Sequence, residues 1–170
     1  MTPAAPSAEG VLTLGDGLLA VVSDLLRRHG LSLHFVPDGA AIPGSYHGAP
    51  EAGLVGTGVW VRADTPLHSV LHEACHAICM GDARRLRLER DAGGDFDEEN
   101  AVCCLQIVLA GELAGVGEQR LMQDMDRWGY TFRLGSAQRW YAEEAAEPRR
   151  WLVQQGLLDA ADRPTYRMRA

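Results

Sequence analysis

Three observations predict a small, single-domain α+β protein. The chain has 170 residues, the usual size of one compact domain with room for a real core. Apolar residues alternate over 31–36 and 55–63 but recur at helical spacing over 16–29, 66–80 and 97–113. No repeat or low-complexity tract interrupts the chain, so 1–170 reads as one domain, with residues 1–10 expected to be disordered.

The first helix is expected over 16–29. Asp16 caps it, Leu18, Leu19, Val22, Leu25 and Leu26 share a face, and Gly30 stops it. LSLHFV (31–36) predicts a strand, and a turn-rich stretch follows. VGTGVWVRA (55–63) predicts a second strand, with Val59 and Val61 on one face and Trp60 and Arg62 on the other. Residues 66–80 open on a proline suited to a first helical turn. GDARRLRLERDAGGD then reads as a polar loop, and a long apolar helix is expected from about Asp97 to Leu113. The remainder predicts three or four shorter helices, divided at GYTFRLGS, at Glu147-Pro148 and at Gly156.

Composition excludes whole classes of function. Sixteen basic residues, all arginine, face 23 acidic ones, for a net charge of −7. That balance argues against a general nucleic-acid binder and against a polybasic membrane-surface protein. No apolar run approaches the ~20 residues a spanning helix needs. The start, MTPAAPSAEG, lacks the basic and apolar segments of an export signal, so a cytoplasmic address is expected. Four cysteines (Cys75, Cys79, Cys103, Cys104) are too few and too clustered for a secreted disulfide framework.

The chemistry is concentrated in His72-Glu73-Ala74-Cys75-His76, an HExxH pattern inside the third predicted helix. Four residues are about one turn, so both imidazoles leave one face and can share a metal ion. With this composition, chance alone produces the pattern in about one chain in 75. Two neutral imidazoles and one carboxylate leave a fourth position open, which is the catalytic zinc arrangement, so zinc is the expected cofactor. Glu73 sits where the zincins, proteases that carry this motif, hold water and shuttle its proton. In those enzymes the strand before the helix lies along the cleft and binds extended substrate, the place VGTGVWVRA would take.

Three sources could supply the third ligand. The acidic start of the next helix (Asp95, Asp97, Glu98, Glu99) is the first, since a glutamate from a following helix is the gluzincin solution. Asp82, ten residues after His72, is the second and less favoured. It would need a chain reversal at position 79, where Cys79 stands instead of glycine. Cys79 itself is the third, and it points away from the shared metal unless the helix breaks.

VWVRADTPLHSVLHEACHAICM followed by DEENAVCCLQIVLAGEL resembles the ImmA/IrrE-type metallopeptidases, small cytoplasmic gluzincins. These have a strand, an HExxH helix and a downstream helix opening on Glu-Ala-Asn. The likeness spans roughly residues 55–113. It implies a zincin-like domain with a short β-sheet, an edge strand before the HExxH helix, a second active-site helix and a helical C-terminal tail. It also implies His72 and His76 as zinc ligands and Glu73 as general base. Aligning Glu98-Glu99-Asn100 on Glu-Ala-Asn makes Glu98 the third ligand; aligning the apolar spacing of the helix makes it Glu99.

Other features have plainer readings. His68, one turn before His72, reads as a partly exposed histidine, with a substrate-orienting or supporting role as the alternative. The cysteines read as small buried residues between two helices rather than as a Cys₄ zinc site or redox switch. Arg84, Arg85, Arg87 and Arg90 read as a solvated loop offsetting the acidic cluster at 91–99, with binding of an acidic substrate group as the alternative. Trp140, Tyr141 and Trp151 read as core. Tyr130 and Tyr46 are both candidates for a transition-state donor. The expected function is zinc-dependent hydrolysis of a peptide or protein substrate. The rivals are a zincin-fold binding or sensing module without turnover, and a helical protein whose two histidines are incidental.

Overall fold

The computed structural model describes residues 10–170, so the expected disorder of the start falls, apart from Gly10, outside the described residues. Among the described residues are seven α-helices and one three-stranded sheet, and the mixed α+β class holds. No helix among them is long and apolar enough to cross a membrane.

The first helix, α1 (Leu19–Arg28), starts later than its apolar spacing suggests. Asp16 belongs instead to a short 3-10 turn, where its carboxylate accepts the Thr13 N–H at 2.8 Å. At the other end Gly30 takes a left-handed φ of 82°, and the Leu31 N–H returns to the Leu26 carbonyl at 2.9 Å. Val22, Leu25 and Leu26 are the buried face, Leu18 is only half-buried and Leu19, expected on the same face, is exposed because the helix begins at it.

The sheet consists of β1 (Ser32–Phe35), β2 (Gly53–Val55) and β3 (Gly58–Val61), in the order β1-β3-β2. β3 runs parallel to β1 and antiparallel to β2. Two expectations are corrected here. The stretch read as one strand over 55–63 is the end of β2, a turn at Gly56 and Thr57, and β3. The strand before the HExxH helix is therefore central, not an edge, because the chain folds back on it through this hairpin. On the outer side of β2 the Leu54 N–H reaches the Gly44 carbonyl at 3.4 Å. Gly53 makes that approach possible: a Cβ there would sit 1.8 Å from the Pro43 carbonyl oxygen. The predicted faces of β3 are correct, with Val59 and Val61 fully buried and Trp60 stacked on His34 at 4.5 Å.

Helix α2 (Leu67–Cys79) follows Pro66, whose fixed φ of −61° precedes the first turn. Helix α4 (Phe96–Ala110) is apolar almost all round, and such a helix must be central. It packs against α2, against α5 (Gly117–Trp128) and against α7 (Ala146–Gln154), while α2 also covers β2 and β3. The Asp95 carboxylate caps α4 by accepting the Glu98 N–H at 2.9 Å.

The arginine-rich stretch is not the expected solvated loop. It opens with helix α3 (Asp82–Arg87), and Arg85 is 3% exposed. Its guanidinium donates to the Ala77 carbonyl at 2.7 Å and to the carbonyls of Met80 and Arg169, and it pairs with Asp82. These contacts satisfy open carbonyls at the end of α2 that no backbone donor reaches. Arg169 adds to the same cap, its N–H bonding the Ile78 carbonyl at 2.9 Å, so the last residues of the chain brace the HExxH helix.

In the helical tail, Glu147-Pro148 does not divide two helices. Pro148 lies in the first turn of α7, where a missing N–H costs no hydrogen bond. The break falls earlier, between α6 (Ala137–Glu143) and Ala146. Trp140 is buried against Phe132 at 5.2 Å, and Tyr141 and Trp151 pack on the core as expected.

The four cysteines are free; Cys75, Cys79 and Cys104 are buried and Cys103 is half-buried. Burial pushes the Cys75 and Cys79 thiols well above their ordinary range and that of Cys104 to about 12. At pH 8 the folded protein should therefore give a thiol reagent rapid access to Cys103 alone, and all four should react in denaturant. Rapid modification of two or more in the native state would contradict this packing.

Candidate metal centre

Helix geometry assembles the site. On α2, His68, His72 and His76 succeed one another at one-turn spacing. On α4, Glu99, Cys103 and Gln106 do the same, and the two helices pack face to face. Among the described residues, one group of metal-ligand side chains converges: His72, His76 and Glu99, all within 4.8 Å of one another.

The spacing within that group is informative. The Nε2 atoms of His72 and His76 are 3.1 Å apart. One Glu99 carboxylate oxygen lies 3.5 Å from His72 Nε2, and the other lies 3.4 Å from His76 Nε2. Ligands at zinc-like distances around a tetrahedral centre sit about 3.3 Å from one another, and the group has these dimensions, with each histidine facing a different Glu99 oxygen. A His₂Glu set with a fourth position open is also the donor chemistry of catalytic zinc.

The sequence left the third ligand open among several acidic residues, and the helix resolves them by rotation. Glu98, one residue before Glu99, points about 100° away. It is 4% exposed and forked by Arg84 at 2.7 and 2.9 Å, with Arg169 at 3.5 Å. Asp82 pairs with Arg85 on α3, Asp95 caps α4, and Asp97 and Cys79 are outside the group.

Electrostatics support the same roles for His76, Glu99 and Glu73. Burial works against a charge on His72, but Tyr130, Cys103 and Glu99 together hold its pKa well above the ordinary value, so a metal must displace a proton there. Burial, and then the neighbouring His72, lowers the pKa of His76 to about 4, which keeps it in the neutral form a metal requires. The hydrogen-bonding contact with His72 lowers that of Glu99, favouring the carboxylate. Glu73 is half-buried. Its own burial raises its carboxyl to about 7, with Glu51, Glu99 and Asp91 adding to the rise and His72 opposing it. A carboxyl near neutrality is suited to taking and returning a proton.

Behind His72 lies a polar cluster that sequence reasoning did not find. His72 Nδ1 is 3.1 Å from Gln106 Oε1. Gln106 Nε2 donates to the His68 carbonyl at 2.7 Å and to the Tyr130 hydroxyl at 3.3 Å, and that hydroxyl is 3.1 Å from His68 Nδ1. His68 is buried rather than partly exposed, and burial lowers its pKa to about 3. One signal was available: a single glutamine within the apolar run AVCCLQIVLA, seven residues after Glu99 and so on its face. The cluster also separates the two tyrosines. The Tyr130 hydroxyl is held by Gln106 and His68 within the cluster, whereas Tyr46 is 61% exposed and meets only the edge of His47.

A groove of about 880 Å³ opens beside α4, lined in part by Phe96, Asn100, Thr131, Phe132, Trp140 and Arg150. None of His72, Glu73, His76 and Glu99 lines it.

No protein-family model, no curated protein and no solved structure matches the chain.

Proposed function

We propose that the protein is a zinc-dependent metallopeptidase of the gluzincin type, with His72, His76 and Glu99 as the zinc ligands and Glu73 as the general base. The carrying observation is the convergence of the two Nε2 atoms and both Glu99 oxygens at 3.1–3.5 Å. Zinc, when bound, supplies polarisation of a peptide carbonyl and acidification of water. Glu73 takes a proton from the attacking water and passes it to the leaving amine. The likeness of residues 55–113 to ImmA/IrrE-type enzymes supports this reading in the alignment that selects Glu99.

Elemental analysis of protein purified without added metal tests it. About one equivalent of zinc per chain is expected, and it should vanish in His76→Ala. Wild-type protein without stoichiometric metal, or a His76→Ala variant that keeps it, would overturn the proposal.

A further inference from the structure

The geometry points to Gln106 as a positioning residue that sets the tautomer of His72 and thereby selects which nitrogen His72 offers to a metal. Its functional meaning rests on the metal-centre proposal, but its chemistry does not.

A primary amide has a donor end and an acceptor end, and its surroundings decide which way it faces. Gln106 is fully buried, so neither end can turn to solvent. The His68 carbonyl, 2.7 Å from Nε2, has only lone pairs to offer. The NH₂ end must therefore face it, with the Tyr130 oxygen as its second acceptor at 3.3 Å. That leaves Oε1 toward His72 Nδ1 at 3.1 Å. Two bare lone pairs facing each other in a buried place would be costly, and a proton on Nδ1 turns the contact into a hydrogen bond. A neutral His72 with its proton on Nδ1 carries the free lone pair on Nε2, the atom facing Glu99 and His76.

The anchor is itself firm. His68 stands one turn before His72 on the same helix, so the amide spans from α4 to a backbone carbonyl of α2 and orients the ring relative to its own helix. Tyr130 closes the cluster from the segment after α5, with its ring edge-on to His72 at a centroid distance of 5.8 Å. His76 has no equivalent: its Nδ1 is buried without a partner. The two histidines are thus unequal, one held by a hydrogen-bonded support and the other by packing alone.

The test combines a spectroscopic readout with a binding one. In metal-free wild-type protein, long-range ¹H–¹⁵N correlation of the imidazoles should show His72 protonated on Nδ1. The near-isosteric Gln106→Met variant removes the acceptor. It should lose that tautomer preference and bind zinc about 10- to 100-fold more weakly in a chelator competition. A His72 that carries no proton on Nδ1 in the wild type would overturn the inference, whether or not the variant folds. So would equal zinc affinity in a folded Gln106→Met. If the wild type takes up no zinc, the metal-centre proposal fails, and the tautomer in the metal-free protein still decides the role of Gln106.

Discussion

Glu73→Gln is expected to keep its zinc and lose its hydrolytic activity. The substitution preserves the shape of a half-buried side chain and touches none of the three proposed ligands, so metal content should equal that of the wild type. What disappears is the group that accepts and returns a proton, and such a group contributes about 10²- to 10⁴-fold to rate. The measurement is cleavage of a mixed pool of unstructured peptides read by mass spectrometry, beside zinc analysis of both proteins. A zinc-loaded wild type that cleaves nothing, or a variant that cleaves equally well, would favour the binding or sensing module.

The same substitution has a stability signature in the metal-free protein. The folded carboxyl binds its proton more tightly than the unfolded one, at about 7 against an ordinary value of 4.5. Its contribution is therefore fully present below pH 4.5 and is lost as the pH rises through 7. A neutral amide does not undergo this loss. Metal-free Glu73→Gln should melt above the metal-free wild type at pH 8, with the gap closing toward pH 4.5. An unchanging gap across that range would show that Glu73 is not held protonated by its surroundings.

The neighbouring glutamates should fail in opposite ways. Glu98→Ala removes a carboxylate buried to 4% exposure and leaves Arg84 and Arg169 without their shared partner. Breaking a buried ion pair is costly, although Arg84, 43% exposed, can recover some hydration. Destabilisation of about 2–3 kcal/mol in urea unfolding is the expected size, with zinc still bound. Glu99→Ala should do the reverse. Its side chain is half exposed, so metal-free stability should hardly change, while zinc affinity falls sharply because one of three ligands is gone. Zinc lost from the Glu98 variant and kept by the Glu99 variant would transfer the ligand role to Glu98.

Those two residues show how legibility divides. The HExxH spacing states by itself that two imidazoles share one helical face, because one turn of helix is a local property. The mixed α+β class, the Val22, Leu25 and Leu26 part of the α1 face, the faces of β3 and the long apolar α4 were likewise readable from periodicity within single segments. Choosing between Glu98 and Glu99 was not, since a rotation of about 100° per residue gives each a different neighbour and only the packing of α4 on α2 says which one faces the histidines.

The same limit explains the other corrections. Whether β3 is an edge depends on β2 folding back along it through the turn at Gly56 and Thr57. Arg85 reads as a surface charge until the end of α2 and the last residues of the chain surround it with carbonyls. Gln106 reads as an interruption in an apolar helix until His68, His72 and Tyr130 close around its amide. Sequence alone determined what recurs within a few residues: the faces of β3 and the pair of imidazoles one turn apart on α2. Tertiary structure decided which glutamate faces that pair, the support behind His72 and the braces at the end of α2, because a polar side chain acquires its role from partners that the chain brings to it from far along its length.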